Sequence, residues 1–220
     1  MFDDITRGEV NALTNDGRDV EAIVNLHPFH TLHVVAMHRA FPSARLYGTA
    51  RHCARFADLP WEQARSEDPA MHALFAEDFE FFVPRGVSFV SADESAHLSS
   101  VLALHSASRT LHVDDTFLYF PLPWPLRLLD PVGLVRIHPT LPKSLEPRAG
   151  AARDFRQWVE GVAARGQDIE HLCAAHSGVL RKIKGTRHRN SSAPAKGAYQ
   201  SRAHPARPRA AVRLSMRPTE

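Results

Sequence analysis

Apolar and polar positions along this chain switch between two periods. "DVEAIVNL" (19–26) follows the turn signal "NDG" with a β-rich run and predicts a strand. In "TLHVVAMHRAF" (31–41) the apolar positions fall at helical spacing, with Thr31 as N-cap and Pro42 as the stop. "ARLYG" (44–48) predicts a second strand and "TARHCARF" (49–56) a short helix. "GVSFVS" (86–91), "SSVLALH" (99–105) and "TLHVDDTFLYF" (110–120) predict three further strands in a meander. Residues 149–165 carry Phe155, Trp158, Val159 and Val162 on one helical face, ahead of the apolar strand "IEHLCAAHSG" (169–178). Strands and helices mix, so the expected fold class is α/β, built in layers.

Composition divides the chain in two. Its 220 residues suffice for one domain with a real core. The net charge of +3 conceals a contrast: residues 183–220 hold nine Lys and Arg against one acidic residue, leaving 18 basic and 23 acidic side chains in 1–182. With four prolines and few large apolar residues, 183–220 cannot bury enough surface to offset chain entropy, and a basic disordered tail is expected there. Tyr199 is its one aromatic residue, which argues against specific nucleic-acid binding. No run of eighteen apolar residues occurs and the N-terminus is acidic and polar, so no membrane association and a cytoplasmic location are expected. Cys53 and Cys173 lack CxxC partners and read as reduced, structural thiols. Nucleotide-binding glycine motifs and a GxSxG nucleophile elbow are missing.

The candidate chemistry lies in histidines. "VNLHPFHTLHV" (24–34) sets His27, His30 and His33 three residues apart just after a predicted strand. Either it is a metal-ligand loop, or His30, His33 and Met37 form one face of a capped helix packed on a sheet. His105 and His176 close two later strands, with Asp114 and Asp115 between them in "TLHVDDTF". Neutral imidazole and carboxylate suit zinc or iron, and ligands at several strand ends can converge on one sheet edge. Asp114 is set aside, because adjacent strand residues point to opposite faces. His38, His52, His72, His97, His112 and His171 read as surface or satisfied core positions, and His138 and Arg148 as residues that could line a pocket mouth.

The order of these pieces resembles the metallo-β-lactamase superfamily, whose ligands lie in a strand-end HxHxDH loop, a single later His, an Asp in a "tGDtlf"-like strand and a last His in a "GHG"-like turn. Within it, the chain looks most like a degenerate member close to the uncharacterised DUF4336-like proteins. "PFHTLH" falls on HxHxDH, "LHSASRTLHVDDTFLYF" on the segment with the third His and the bridging Asp, and "CAAHSG" on the last ligand. The resemblance implies an αββα sandwich over residues 1–182, truncated at the N-terminus so that its first sheet is short of strands. It implies His30, His33, His105, Asp115 and His176 as ligands of one zinc or iron ion, with His27 able to swing in. Pro28 and Leu32 replace a family His and Asp. The implied chemistry is attack of a metal-bound hydroxide on an ester, amide or thioester carbonyl of an unidentified small molecule, with Asp115 a candidate catalytic group beside that water. The alternative is a non-catalytic scaffold or binding protein of the same fold with no metal at all.

Overall fold

The computed structural model describes residues 4–181 apart from 92, 94, 129–132 and 177; the predicted basic tail lies outside the described residues. In chain order the elements are α1 (Asp4–Leu13), β1 (Ala22–Val24), α2 (Val34–Ala40), β2 (Arg45–Tyr47), α3 (Ala50–Arg55), α4 (Pro69–Leu74), β3 (Phe79–Phe82), β4 (Leu102–His105), β5 (Thr110–His112), β6 (Phe117–Phe120), β7 (Leu134–Ile137), α5 (Leu141–Ser144), α6 (Ala151–Ala164), β8 (His171–Ala174) and β9 (Gly178–Leu180). The mixed α/β class is the one the periodicity predicts.

A five-stranded mixed sheet has the order β3-β4-β5-β8-β9; β1 and β2 form a separate parallel pair and β6 and β7 an antiparallel one. Alternation along each strand decides what it buries. On β4, Leu102 and Leu104 join Leu111, Leu172, Phe155, Trp158 and Val162 in the core beneath α6. Ala103 points the other way, into a cluster with Leu26 and Val101 that Phe79 and Phe81 flank. On β1, Ile23 packs with Val10 of α1 and Met37 of α2, whereas Ala22 packs with Tyr47 and with Met71 of α4. α1 and α2 thus pack against the β1–β2 pair, and α6 packs against one face of the five-stranded sheet.

α6 forms where the apolar spacing predicts, with Ala151, Phe155, Trp158 and Val162 buried. Its start is approached closely by Gly86, at φ +73°, where an added Cβ would meet the Ala151 carbonyl oxygen at 2.1 Å. The segment 86–91 is not a strand: Val87 alone bridges to Leu145, and Ser88 N–H donates to the Ser144 carbonyl. The predicted strand 110–120 is also broken, into β5 and β6 by a turn at 114–116. The helix predicted over 31–41 begins two residues late, with His33 rather than Thr31 at its N-cap position. Elements α1, α4, β3, β7, α5 and β9 have no counterpart among the predicted elements. Among the described residues no helix is long and apolar enough to cross a membrane.

Candidate metal centre

Strand direction decides which histidines meet. β8 runs parallel to β5, with Thr110 opposite His171 and His112 opposite Cys173, so the residues that follow both strands emerge at the same sheet edge. Asp114 and Asp115 follow β5; His176 sits in the turn after β8. β4 runs antiparallel to β5, so its beginning reaches this edge. The histidine loop is tied there, because Val101 N–H donates to the Leu26 carbonyl at 3.0 Å.

His30, Asp114, Asp115 and His176 each present one ligand atom, and these atoms all lie within 4.8 Å of one another. His30 Nε2 is 3.3 Å from Asp115 Oδ2 and His30 Nδ1 is 3.2 Å from Asp114 Oδ1. His176 Nε2 is 3.1 Å from Asp115 Oδ1 and 3.2 Å from His30 Nε2. The side chains of Asp114 and Asp115 are 2 % and 5 % exposed and form the floor; those of His30 and His176 are 36 % and 41 % exposed and form the open side.

Both carboxylates reach the cluster because the backbone turns between them. Asp114 has φ +41°, a left-handed conformation that alternation along a strand does not allow for. Asp and Asn visit that region more readily than other side chains, and such conformations collect at functional sites. The following Thr116 is fully buried. Its hydroxyl donates to the Leu98 carbonyl at 3.0 Å and accepts the Ser100 N–H at 3.2 Å, which anchors the turn to the segment before β4.

The loop that carries His30 is held from behind. Thr49 caps α3, and its N–H donates to His52 Nδ1 at 3.2 Å, leaving His52 Nε2–H to donate to the His30 carbonyl at 3.2 Å. Burial lowers the pKa of His52 to about 4, so the imidazole stays neutral in this role. His27 is buried beneath His30, their rings stacked at 4.0 Å, and its Nε2 lies 3.2 Å from Asp115 Oδ2. The His97 and His138 rings, 6.3 Å apart, stand near the same edge.

The electrostatics follow from two adjacent buried acids. Burial opposes the charge on His30, but hydrogen bonds to Asp114 and Asp115 outweigh it and raise its pKa to about 10. Burial would raise both Asp residues, yet His30 beside Asp114, and His27 with His30 beside Asp115, hold both well below the usual carboxylate range. Without a metal, a proton on His30 supplies the positive charge that these carboxylates require. A cation held at the cluster takes over that function.

Two predicted ligands do not join. His105 closes β4 opposite Thr110, so the length of β5, about 10 Å of strand, separates it from the acidic turn. Its Nδ1 is instead bonded to Ser108 Oγ at 2.7 Å and its ring packs on Phe79. The prediction treated every strand end as the same edge, whereas an antiparallel strand ends at the opposite one. His33 occupies the α2 N-cap position, outside the four-residue group, and burial lowers its pKa. His30, Asp115 and His176 do come together. Asp114 was missed; the signal available was a paired Asp at a strand end, where one residue can adopt a left-handed turn. Of the pocket-mouth pair, His138 lies near the cluster, and Arg148 is engaged by Glu146 and Asp154.

Comparison with known proteins finds no matching family model, curated protein or solved structure.

Proposed function

We propose that this edge is a mononuclear site for zinc or iron, held by His30, Asp114, Asp115 and His176, in a metallo-β-lactamase-like domain with metal-dependent hydrolase chemistry. The observation that carries the reading is the spacing of the ligand atoms. A tetrahedral zinc ion with bonds of about 2.0–2.1 Å has ligands roughly 3.3–3.4 Å apart. The contacts of 3.1 Å from His176 Nε2 to Asp115 Oδ1, 3.2 Å between the two imidazole Nε2 atoms and 3.3 Å from His30 Nε2 to Asp115 Oδ2 approach that edge length, with both Asp115 oxygens engaged and Asp114 on the Nδ1 side of the His30 ring. Two imidazole nitrogens facing each other beside carboxylates is the donor set such an ion requires. The packing of α1 and α2 on the β1–β2 pair and of α6 on the five-stranded sheet supports an αββα sandwich, with the β1–β2 pair as its short first sheet.

A bound divalent ion would polarise a substrate carbonyl and lower the pKa of a water towards about 7. The protein's own groups bind and orient. The buried acids anchor the floor, and the half-open imidazoles leave access for an ester, amide or thioester from solvent. Leu32, where the family pattern has a carboxylate, is 77 % exposed and offers no proton acceptor. The apolar side chain at that position favours one second reading, a metal-binding scaffold without turnover.

Elemental mass spectrometry on the full chain tests the first step: about one zinc or iron per chain is expected, and close to none in Asp115→Ala. A folded wild-type chain that stays metal-free after incubation with zinc overturns the site. Hydrolysis of a carbonyl ester panel by the loaded protein, lost in His30→Ala, separates the enzyme from the scaffold.

A further inference from the structure

His27 stands closest to the four proposed ligands without belonging to them, and its two ring nitrogens show why. A ligand imidazole must present an unprotonated nitrogen to the ion. In His27 the nitrogen with the free pair is Nδ1, which accepts the Phe29 N–H at 3.1 Å. A neutral ring bonded in that way carries its proton on Nε2. Nε2 faces two oxygens, the His97 carbonyl at 2.9 Å and Asp115 Oδ2 at 3.2 Å. The side chain is fully buried, so no water competes for that proton.

We infer that His27 is a positioning residue for the metal centre: the Phe29 N–H behind the ring leaves the proton on Nε2, which is shared between the His97 carbonyl, the nearer acceptor, and the Asp115 carboxylate, and so holds Asp115 Oδ2 in place. With Oδ2 held on one side, Oδ1 is turned to His176 Nε2 at 3.1 Å. Stacking at 4.0 Å with 18° between the planes also sets the tilt of the His30 ring. One buried imidazole thereby orients two proposed ligands, which is how outer residues tune metal sites. Pro28 follows His27 directly and has no N–H to offer, so the N–H that sets the tautomer comes from Phe29. His97 serves through its backbone carbonyl. The inference rests on the proposed metal site and assigns His27 a place outside the ligand set.

Three versions of the full chain test it: wild type, His27→Gln, whose amide N–H can replace Nε2–H, and His27→Leu, which keeps bulk without a donor. Cobalt(II) titration reads affinity and, through the visible d–d bands, the ligand set; zinc competition gives a second affinity. His27→Gln is expected to bind within about threefold of wild type with unchanged bands, and His27→Leu about 10- to 100-fold more weakly. Equal losses in both variants with shifted bands would make His27 a ligand, and wild-type affinity in His27→Leu would reduce it to packing; either overturns the inference. Long-range proton–nitrogen NMR on zinc-loaded wild type needs no variant to fold: Nε2 protonated is expected, and Nε2 unprotonated overturns the assignment. Should wild type bind neither metal, the proposed site fails and this role falls with it, a result distinct from a wild type that binds zinc through the wrong His27 tautomer.

Discussion

The five-stranded sheet carries histidines at both of its ends, and the two ends differ in what surrounds them. At one, His105 closes β4 in a tight turn, bonded to Ser108, which in turn bonds Thr110 at 2.8 Å. An imidazole, two hydroxyls and an aromatic neighbour satisfy each other there. At the other, His27, His30 and His176 meet two buried carboxylates with nitrogen and oxygen atoms 3.1–3.3 Å apart. The residue type is the same, and the lesson is that buried negative charge, rather than the imidazole, makes one end a candidate cation site.

The comparison breaks first on metal binding. Asp115→Ala removes the carboxylate shared by His27, His30 and His176, and should weaken zinc affinity on the order of 100-fold or more, since even outer-shell changes cost 10- to 100-fold. His105→Ala should leave affinity unchanged; a comparable loss there, measured by chelator competition, would mean that the two ends are not separate. Zinc at a hundred times its dissociation constant should add about 2.7 kcal/mol of stability. For a domain of this size that raises Tm by roughly 5–10 °C. The rise should occur in wild type and His105→Ala, vanish in Asp115→Ala and reverse with EDTA; a shift that survives in Asp115→Ala points to zinc bound elsewhere.

The left-handed turn gives a sharper and smaller test. Asp114→Ala and Asp114→Gly both delete the carboxylate, but only glycine adopts φ +41° without strain. Metal-free Asp114→Gly should exceed Asp114→Ala in stability by about 1 kcal/mol in urea denaturation, and equal stabilities would remove backbone strain from the account. Least of all, His105→Ala should cost under about 1 kcal/mol, the worth of one part-exposed hydrogen bond. A cost of several kcal/mol would mark that end as structurally critical.

Sequence pattern carried the α/β class, the α6 face of Phe155, Trp158 and Val162, the short helix at 49–56, and three of the clustered residues, His30, Asp115 and His176. Those are properties of local periodicity and residue type, which the linear text carries directly. The predicted meander already set β4 against β5, which puts His105 at the far edge. The text did not reveal that β8 runs with β5, because that pairing is set by which apolar faces pack together across long stretches of chain, and it is this pairing that brings His176 to the edge of the acidic turn. Nor could alternation foresee Asp114, since the turn that swings its carboxylate beside Asp115 is held by Thr116 bonding to Leu98 and Ser100, sixteen or more residues earlier in the chain. Tertiary structure decided the site because a cation needs donors converging within a few ångströms, and only packing fixes such distances.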